Sequence, residues 1–375
     1  MATQKFRLPP LPALRDFIHM YQLKATKVLS QNYIMDMGIN RKIVRNSGIQ
    51  PGATVLEIGP GPGGITRAIL EKNPRRLDVV EIDRQFVNPL QHLANAAPDR
   101  LFIHHADILK TDVEELWTDA QCPKHVCSNG EKRFQSSFQE WWDEAPNLHV
   151  VGNLPFNIAS PLLRQMSQRS GPWAFGRTSL TLTFQLEVAQ RICAPIDCDE
   201  RTRISIVSQY VAEPRLMFVI PGRCFVPRPQ VDVGVVRFVP RERPLIPASF
   251  DVVEKMCRNV FHYRQKHVVN CVRTLYPKEL PRSLADDLLR ECRINPTVAS
   301  YELGMAEFAD MCVHYDKQCR EIPGLFAYNH YGKQHETLEI LSLKPDALPP
   351  AYEPRDAAPN LRDGLSLANF PAHRR

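Results

Sequence analysis

The feature that most constrains the fold is an apolar run that leads directly into a glycine- and proline-rich turn, ATVLEIGPGPGG at residues 53–64. Its β-branched and aliphatic residues predict a buried strand, and the segment after the turn predicts a helix over 65–72. Glycines at 59, 61 and 63 remove the Cβ atoms that would keep a ligand away from the main chain, and the prolines between them stiffen the turn. The sequence therefore predicts a strand, a tight turn and a helix start that can receive a nucleoside-sized ligand.

The turn by itself is compatible with two other interpretations. Gly59, Gly61 and Gly64 satisfy the G-x-G-x-x-G dinucleotide fingerprint, and Glu81 follows at the spacing expected of a carboxylate that binds a ribose. This pattern permits a nicotinamide-dependent oxidoreductase. A plain connection between strand and helix, without any ligand, satisfies the local pattern as well.

Composition limits the class of protein. A chain of 375 residues with 43% hydrophobic residues is long enough for one large domain and a smaller one. No apolar run approaches the roughly 18 residues that span a bilayer, so we expect a soluble protein without a membrane segment. The 47 basic and 41 acidic residues give a formal charge of +6, which permits an anionic partner. The ten cysteines include no C-x-x-C pair, so we expect reduced thiols and no metal site.

Residues 1–29 are basic, contain a single acid, Asp16, and have apolar residues near helical spacing. An amphipathic basic helix is the expected structure. Acid-poor amphipathic N-termini are typical of mitochondrial transit segments, and an ordinary helix packed on the main domain fits the same pattern.

After the glycine turn, strand and helix patterns alternate over 77–82, 85–95 and 101–105, as in a parallel α/β sheet. Glu81 and Asp107 fall at the carboxyl ends of two of these strands, where open sheets bind ligands. A carboxylate can accept hydrogen bonds from ribose hydroxyls, in the case of Glu81, or from an adenine amino group, in the case of Asp107. The two acids together favour an adenosine-containing ligand.

A further strand at 148–151 leads into the turn GNLPFN. An exocyclic amine of adenine or cytosine is a poor nucleophile because its lone pair is delocalised into the ring, and neutral oxygens that accept its hydrogens localise that pair. Asn153 can supply an amide oxygen, and Leu154 or Pro155 a main-chain carbonyl. Phe156 offers a face on which a base removed from its stack can lie. Against an activated methyl donor, proximity and orientation supply most of the acceleration, so no metal or general base is required.

The motifs SQNYI, EIGPGPG, VVEID, HHADI and GNLPFNIASP, in this order, resemble those of the small-subunit ribosomal RNA adenine dimethyltransferase family. FQLEVAQRI, RISIVSQY and FVPRPQVDVGVV extend the resemblance over nearly all of residues 20–320. RLPPLPALRD, GRTSLTLTFQ, VDVGVV and GLFAYN are most similar to the mitochondrial branch of that family.

The resemblance implies an α/β fold, with a Rossmann-like S-adenosylmethionine-dependent methyltransferase sheet and a smaller all-helical C-terminal domain. It also implies the reaction, in which two adjacent adenines are converted to N6,N6-dimethyladenines. The implied substrate is a hairpin near the 3′ end of mitochondrial small-subunit rRNA, and the implied compartment is the mitochondrial matrix.

Carried over position by position, the resemblance assigns site residues. The implied cofactor site comprises Gln31, Asn32, Ile34, Gly59, Gly61, Glu81, Ile82, Asp107, Ile108 and Asn153. The residues implied to act at the target adenine are Asn153, Pro155, Phe156 and Phe225. Three positions depart from the family pattern, because Tyr33 and Ile34 replace the usual Phe and Leu, and Val233 replaces a serine of the bacterial pattern.

We expect the domains to follow this order along the chain. They are the basic segment 1–29, a methyltransferase domain over 30–240 with an inserted loop at 111–147, a proline-rich linker over 239–250, a helical domain over 251–328 and a disordered tail over 331–375.

Two stretches, 201–241 and 255–278, are rich in basic residues. Such runs are often solvated faces, but beside a base-binding site they are candidate phosphate contacts. The candidates are Arg223, Arg228, Arg258, Arg264, Lys266 and Arg273. The resemblance implies that the partner is mitochondrial small-subunit rRNA in the assembling small ribosomal subunit, and the protein is expected to be a monomer. A rival hypothesis is a nucleic-acid-binding transcription cofactor that contacts the mitochondrial transcription machinery and retains the methyltransferase site as a relic.

Overall fold

The computed structural model describes residues 7–11, 13, 16, 32–111, 124–126, 132–134, 147–154, 178–241, 244–278, 280–322 and 324–332. Most of the predicted helix of 1–29, the helix of the predicted insertion and nearly all of the predicted tail lie outside these residues. The chain divides into two compact units. The sheet unit ends at Ala194 and resumes over Ser208–Pro244, and the helical unit comprises Pro195–Val207 and the chain from Leu245 onward.

The sheet unit contains all the described strands. They are β1 (Tyr33–Ile34), β2 (Thr54–Ile58), β3 (Arg76–Glu81), β4 (Leu101–His105), β5 (Lys124–Val126), β6 (Lys132–Phe134), β7 (Leu148–Gly152), β8 (Ser179–Gln185), β9 (Ala212–Ile220), β10 (Phe225–Val226) and β11 (Val233–Pro240). Its helices are α1 (Met37–Ser47), α2 (Gly64–Leu70), α3 (Arg84–Ala96) and α4 (Leu186–Cys193), and α5 (Arg203–Gln209) contains the boundary between the units.

Seven strands form one sheet in the order β4-β3-β2-β7-β8-β11-β9. The first five strands are parallel to one another, and β11 is antiparallel to both β8 and β9. From β2 the chain moves outward through β3 to β4, then returns to place β7 on the other side of β2. The crevice between β2 and β7 is therefore a topological switch point, where ligands bind at the carboxyl ends of parallel strands.

The central strands are buried over their full length, as expected where helices cover a parallel sheet. Strand β3 nevertheless contains charged residues. The Arg76 guanidinium donates to both Asp78 carboxylate oxygens, at 2.8 and 2.9 Å, and stacks 4.3 Å from the centre of the Phe102 ring. His104 Nε2 lies 2.9 Å from Asp78 Oδ1. Mutual pairing thus compensates the desolvation of these side chains.

The helical unit is built on α6 (Phe250–Val260), α7 (Val268–Val272), α8 (Ser283–Glu291) and α9 (Met305–Glu321). Met256, Phe308 and Tyr315 are completely buried in its core. The buried Lys255 ammonium donates to the carbonyls of Leu325, at 3.0 Å, and Phe326, at 2.6 Å, which satisfies two of its N–H donors. The expected Rossmann-like sheet and helical C-terminal segment are thus both present.

Part of the predicted methyltransferase domain, 30–240, belongs to the helical unit. Residues 195–207 belong to the helical unit, because Asp197 N donates to Tyr301 O at 3.1 Å and Arg264 binds Asp199. The cysteines that the structure describes are all free thiols. None of the described helices has the length and apolar character needed to cross a membrane.

Candidate active site

The glycine turn and the GNLPFN turn meet at the switch point of the sheet. Ile58, the last residue of β2, pairs with Gly152, the last residue of β7, so Gly59 and Asn153 leave adjacent strands side by side. They line a solvent-open cleft of about 260 Å³. Its lining residues are Tyr33, Ile34, Asn40, Gly59, Pro60, Pro62, Gly64, Ile65 and Asn153.

The glycines of the turn are not equivalent. Gly59, Gly61 and Gly63 all have positive φ angles, at 65°, 51° and 79°, which explains the need for glycine. At Gly59 a Cβ would meet no atom closer than 3.8 Å, so its main chain is open to a ligand. At Gly61 a Cβ would lie 2.9 Å from the Tyr33 ring. The predicted bare main chain is therefore present at Gly59, whereas Tyr33 covers Gly61.

Glu81 connects the end of β3 to the glycine turn. Gly61 N donates to Glu81 Oε2 at 2.9 Å and Asp83 N donates to Oε1 at 2.8 Å. Burial raises the pKa of this carboxyl above its ordinary value, while the amides of Asp83, Gly61 and Ile82 favour its ionised form. A carboxylate has about four lone-pair sites, so capacity remains for a further donor such as a ribose hydroxyl.

The other predicted acid lies one strand further out. Asp107 follows β4 and accepts a hydrogen bond from Leu109 N at 3.1 Å. Ile108 beside it is buried, whereas Ile82, after β3, is 48% exposed. Since β3 and β4 are neighbours, Glu81, Ile82, Asp107 and Ile108 lie along one edge of the sheet, as predicted for parallel strands.

The Asn153 carboxamide is held from two sides. Its Nδ2 donates to the main-chain oxygen of Asn32 at 2.7 Å, and its Oδ1 accepts from the Thr183 hydroxyl at 3.0 Å. Asn32 precedes β1, so the N-terminal segment predicted to contribute to the site contacts Asn153 directly. Ile34 lines the same cleft.

The remaining predicted site residues are either outside the described residues or buried beside the cleft. Gln31, Pro155 and Phe156 lie outside the described residues. Phe225 pairs with Ile34 in the two-stranded β1–β10 ribbon and is only 3% exposed, within the core cluster that includes Tyr33. The Phe225 ring is therefore near the cleft-lining strand but is covered by its neighbours.

Three buried polar residues near the site were not anticipated from the sequence. Thr183 bonds Asn153, and the Arg67 guanidinium donates to the carbonyls of Pro62, at 2.8 Å, and Gly63, at 2.7 Å. Each is a polar residue within an otherwise apolar strand or helix face, and this was the only signal in the sequence. The signal does not reveal the hydrogen-bond partner, which is distant in sequence for Thr183 and lies in the glycine turn for Arg67.

Glu57 is the third of these residues and lies in the middle of β2, 1% exposed. Burial raises the pKa of its carboxyl to about 8. The Thr66 side chain lies beside it and offsets this rise in part, but neither carboxyl oxygen has a partner with good hydrogen-bond geometry among the described residues. Burial thus favours the protonated, uncharged form of Glu57 in the folded protein.

The predicted RNA-binding residues divide into two groups. Arg264 contacts Asp199 and stacks over Tyr301, and Arg273 pairs with Asp286 at 3.1 Å. The other four, by contrast, are exposed, and no carboxylate of the described ranges lies within ion-pair distance of them. They are Arg223 and Arg228 in the sheet unit, and Arg258 and Lys266 in the helical unit.

Aromatic rings lie near Arg258. The ring cluster consists of His262, Tyr263, His330 and Tyr331, with centroids of neighbouring rings 4.1 to 5.1 Å apart. Tyr263 and Tyr331 are 42% and 40% exposed. Burial and the nearby Lys278 charge lower the pKa of His330. The Arg258 charge acts on Tyr331, so basic side chains and aromatic rings lie close together on the helical unit. The sequence patterns did not indicate this cluster because its members come from two distant segments.

Solved structures share this architecture. A dimethyladenosine transferase from Plasmodium falciparum superposes with a TM-score of 0.57 at 20% identity, covering 76% of this chain and 97% of that one. The 23S rRNA methyltransferase ErmE superposes with a TM-score of 0.51 at 18% identity, covering 76% and 100%. These likenesses show that the sheet unit has the Rossmann-like α/β fold.

Sequence comparison defines the family within that fold class. The model of the ribosomal RNA adenine dimethylase family matches residues 22–306, and the chain belongs to this family. Dimethyladenosine transferase 1, mitochondrial, of Caenorhabditis elegans is 57% identical over 97% of this chain and 98% of its own length. The human protein of the same name is 42% identical over 86% and 90%. The chain is therefore an rRNA adenine dimethyltransferase that uses S-adenosylmethionine.

The residues present fit this cofactor. Gly59 leaves room beside its main chain, and the ionisable Glu81 carboxylate retains acceptor capacity at the next strand end. Glu81 and Asp107 continue from Gly59 along the strand ends, so an extended ligand fits this edge of the sheet. Membership of the family excludes the alternative of a nicotinamide-dependent oxidoreductase, which the glycine spacing alone had permitted.

Proposed function

We propose that this protein dimethylates two adjacent adenines in a hairpin near the 3′ end of mitochondrial small-subunit rRNA. It acts in the mitochondrial matrix as a monomer and supports assembly of the small ribosomal subunit. The observation that carries the proposal is the meeting of Asn153 and Gly59 at one cleft. The mitochondrial names of the relatives support the compartment.

In the proposed site, the cofactor lies along the edge of the sheet, and Asn153 lies near the methyl group of the cofactor. Glu81 accepts hydrogen bonds from the ribose, Asp107 accepts one from the adenine amino group, and Ile82 and Ile108 complete the adenine site. Gly59 and Gly61 form the turn beneath the ligand, and Gln31, Asn32 and Ile34 contribute from the N-terminal side.

The reaction is the attack of the target adenine N6 on a methyl group that the bound cofactor supplies in activated form. Asn153 Oδ1 and a main-chain carbonyl at Leu154 or Pro155 accept the two amine hydrogens, which localises the nitrogen lone pair. The new N–C bond forms as the methyl–sulfur bond breaks, and the surplus amine proton leaves to solvent. The protein contribution is position and orientation, which can supply a large part of the acceleration.

The second methylation differs from the first because the monomethylated amine has only one hydrogen left. One of the two acceptors therefore suffices for the second step, provided that the pocket accommodates the methyl group already present. Pro155 and Phe156 hold the target base. Phe225 is buried, so a stacking contact with the base requires movement of the β1–β10 pair.

RNA is held outside the cleft by positive charge. We assign phosphate contacts to all six predicted basic residues. The principal ones are the four that have no acidic partner among the described residues, Arg223, Arg228, Arg258 and Lys266. Arg264 and Arg273 must exchange an intramolecular partner for phosphate, which reduces their net contribution. The ring cluster adds surfaces on which unpaired bases can stack.

The decisive test is to map adenine dimethylation on mitochondrial rRNA with and without the protein, and on a synthetic hairpin with purified protein and S-adenosylmethionine. Two adjacent adenines should be dimethylated only when the protein is present. Asn153→Ala should abolish methyl transfer with the melting temperature retained, whereas Asn95→Ala, an exposed control, should behave like the wild type. Dimethylation that persists without the protein would refute the proposed substrate, and wild-type turnover of Asn153→Ala would remove Asn153 from the chemistry.

A further inference from the structure

The orientation of the Asn153 carboxamide is determined by its two partners. A side-chain amide can be turned by half a rotation with little change in shape, so its direction depends on hydrogen bonding. The main-chain oxygen of Asn32 can only accept, and it lies 2.7 Å from Asn153 Nδ2. The amide oxygen therefore lies on the opposite side, 3.0 Å from the Thr183 hydroxyl, which must donate to it.

Thr183 is in an unusual place for a hydroxyl. It lies in β8 between buried Leu182 and Phe184 and is itself 1% exposed. Gly152 pairs with Leu182, so Thr183 is level with the first residue after β7. A valine would suit a buried strand equally well, and a buried hydroxyl is costly unless it is hydrogen bonded. The bond to Asn153 Oδ1 provides that compensation.

We propose that Thr183 is a positioning residue for methyl transfer. Its hydroxyl occupies one lone pair of Asn153 Oδ1 and fixes the amide, so that the second lone pair remains for a hydrogen of the target amine. Thr183 does not line the cleft, so it acts through Asn153 and leaves the cofactor untouched. The proposal rests on the proposed role of Asn153 in the reaction.

Thr183→Val removes the donor and nearly preserves the shape. Loss of one such hydrogen bond should lower kcat about tenfold. The affinity for S-adenosylmethionine, measured by calorimetry, and the KM for the hairpin should change less than about twofold, because Thr183 touches neither. Thr183→Ser retains the hydroxyl and should recover most of kcat.

A matched control lies two residues earlier in the same strand. Thr181 is equally buried, and i and i+2 residues of a strand share one face. Thr181→Val should leave kcat unchanged. If it lowers kcat as much as Thr183→Val does, or if Thr183→Ser fails to recover activity, the effect is one of packing and the proposal is wrong.

Two further measurements separate this proposal from its premise. With selective ¹⁵N-asparagine labelling, the Asn153 side-chain amide signal should shift in Thr183→Val and not in Thr181→Val. The second measurement is the activity of Asn153→Ala beside that of Thr183→Val, under the same conditions. A fully inactive Asn153→Ala together with a wild-type Thr183→Val would overturn the role of Thr183 alone. A fully active Asn153→Ala would overturn the role of Asn153 itself.

Discussion

Glu81 has two functions at the residue scale, since it binds the Gly61 amide and, in the proposed function, the ribose. Glu81→Ala should therefore weaken S-adenosylmethionine binding about tenfold or more, as expected for hydrogen bonds to a charged group. Isothermal titration calorimetry on the folded variant measures this effect directly. An unchanged dissociation constant would refute the ribose assignment.

Glu57 affects stability through its protonation state. Its folded-state pKa of about 8 lies above the ordinary 4.5, so the protonated form is favoured by folding. The contribution of this carboxyl to stability is thus greatest below pH 4.5 and is lost as the pH rises toward 8, by roughly 3 kcal/mol between pH 5 and pH 8.

Glu57→Gln cannot ionise and should lack this loss. Urea unfolding at pH 5 and pH 8 should show the variant gaining stability relative to the wild type by roughly 3 kcal/mol as the pH rises. Glu187→Gln, at an exposed position paired with Arg191, should show no comparable gain. A pH dependence identical in Glu57→Gln and the wild type would show that Glu57 does not titrate in this range.

At the scale of elements, the glycine turn depends on the first turns of α2. The Arg67 guanidinium donates to Pro62 and Gly63 in the turn and to the carbonyls of Pro9, at 2.9 Å, and Pro10, at 3.3 Å. One planar group with five donors thus joins the N-terminal segment to the cofactor turn. Lysine cannot reproduce this fork.

Arg67→Lys should consequently loosen the glycine turn and weaken S-adenosylmethionine binding about tenfold, since at least one buried carbonyl loses its donor. Arg41→Ala is a suitable control, because Arg41 is exposed and pairs only with Glu71 among the described residues. Equal affinity of Arg67→Lys and the wild type, by calorimetry, would contradict this account.

The elements themselves were largely predictable, because local patterns encode them. The strand over 101–105 agrees with β4, and the predicted helix over 85–95 differs from α3 by one residue at each end. The predicted start of the linker, residue 239, was less accurate, since β11 extends to Pro240. Proline is tolerated there because it is the last residue of the strand.

For the whole molecule, RNA affinity should depend on salt through its phosphate contacts. Arg258→Ala should reduce the slope of log K against log salt by about 1, because one phosphate contact is lost. Tyr263→Ala should instead weaken binding about tenfold at every salt concentration, because stacking releases no counterions. Filter binding of the hairpin over a salt series distinguishes the two effects.

Lys317→Ala provides the control for these measurements, since Lys317 is exposed in α9 beside Glu321. It should change neither the affinity nor the slope. If Arg258→Ala leaves the slope unchanged, Arg258 lies outside the RNA-binding surface, and if Tyr263→Ala binds like the wild type, the ring cluster does not stack on bases.

The sequence by itself determined the strand–turn–helix at 53–70, the alternation of strands and helices, and the polar turn after β7, because each depends on residues close together in the chain. Only the tertiary structure decided that β7 pairs with β2, that Thr183 meets Asn153, and that His262 and Tyr331 stack. These contacts join distant segments, and strand order is chosen by competition among long-range pairings that no local pattern records.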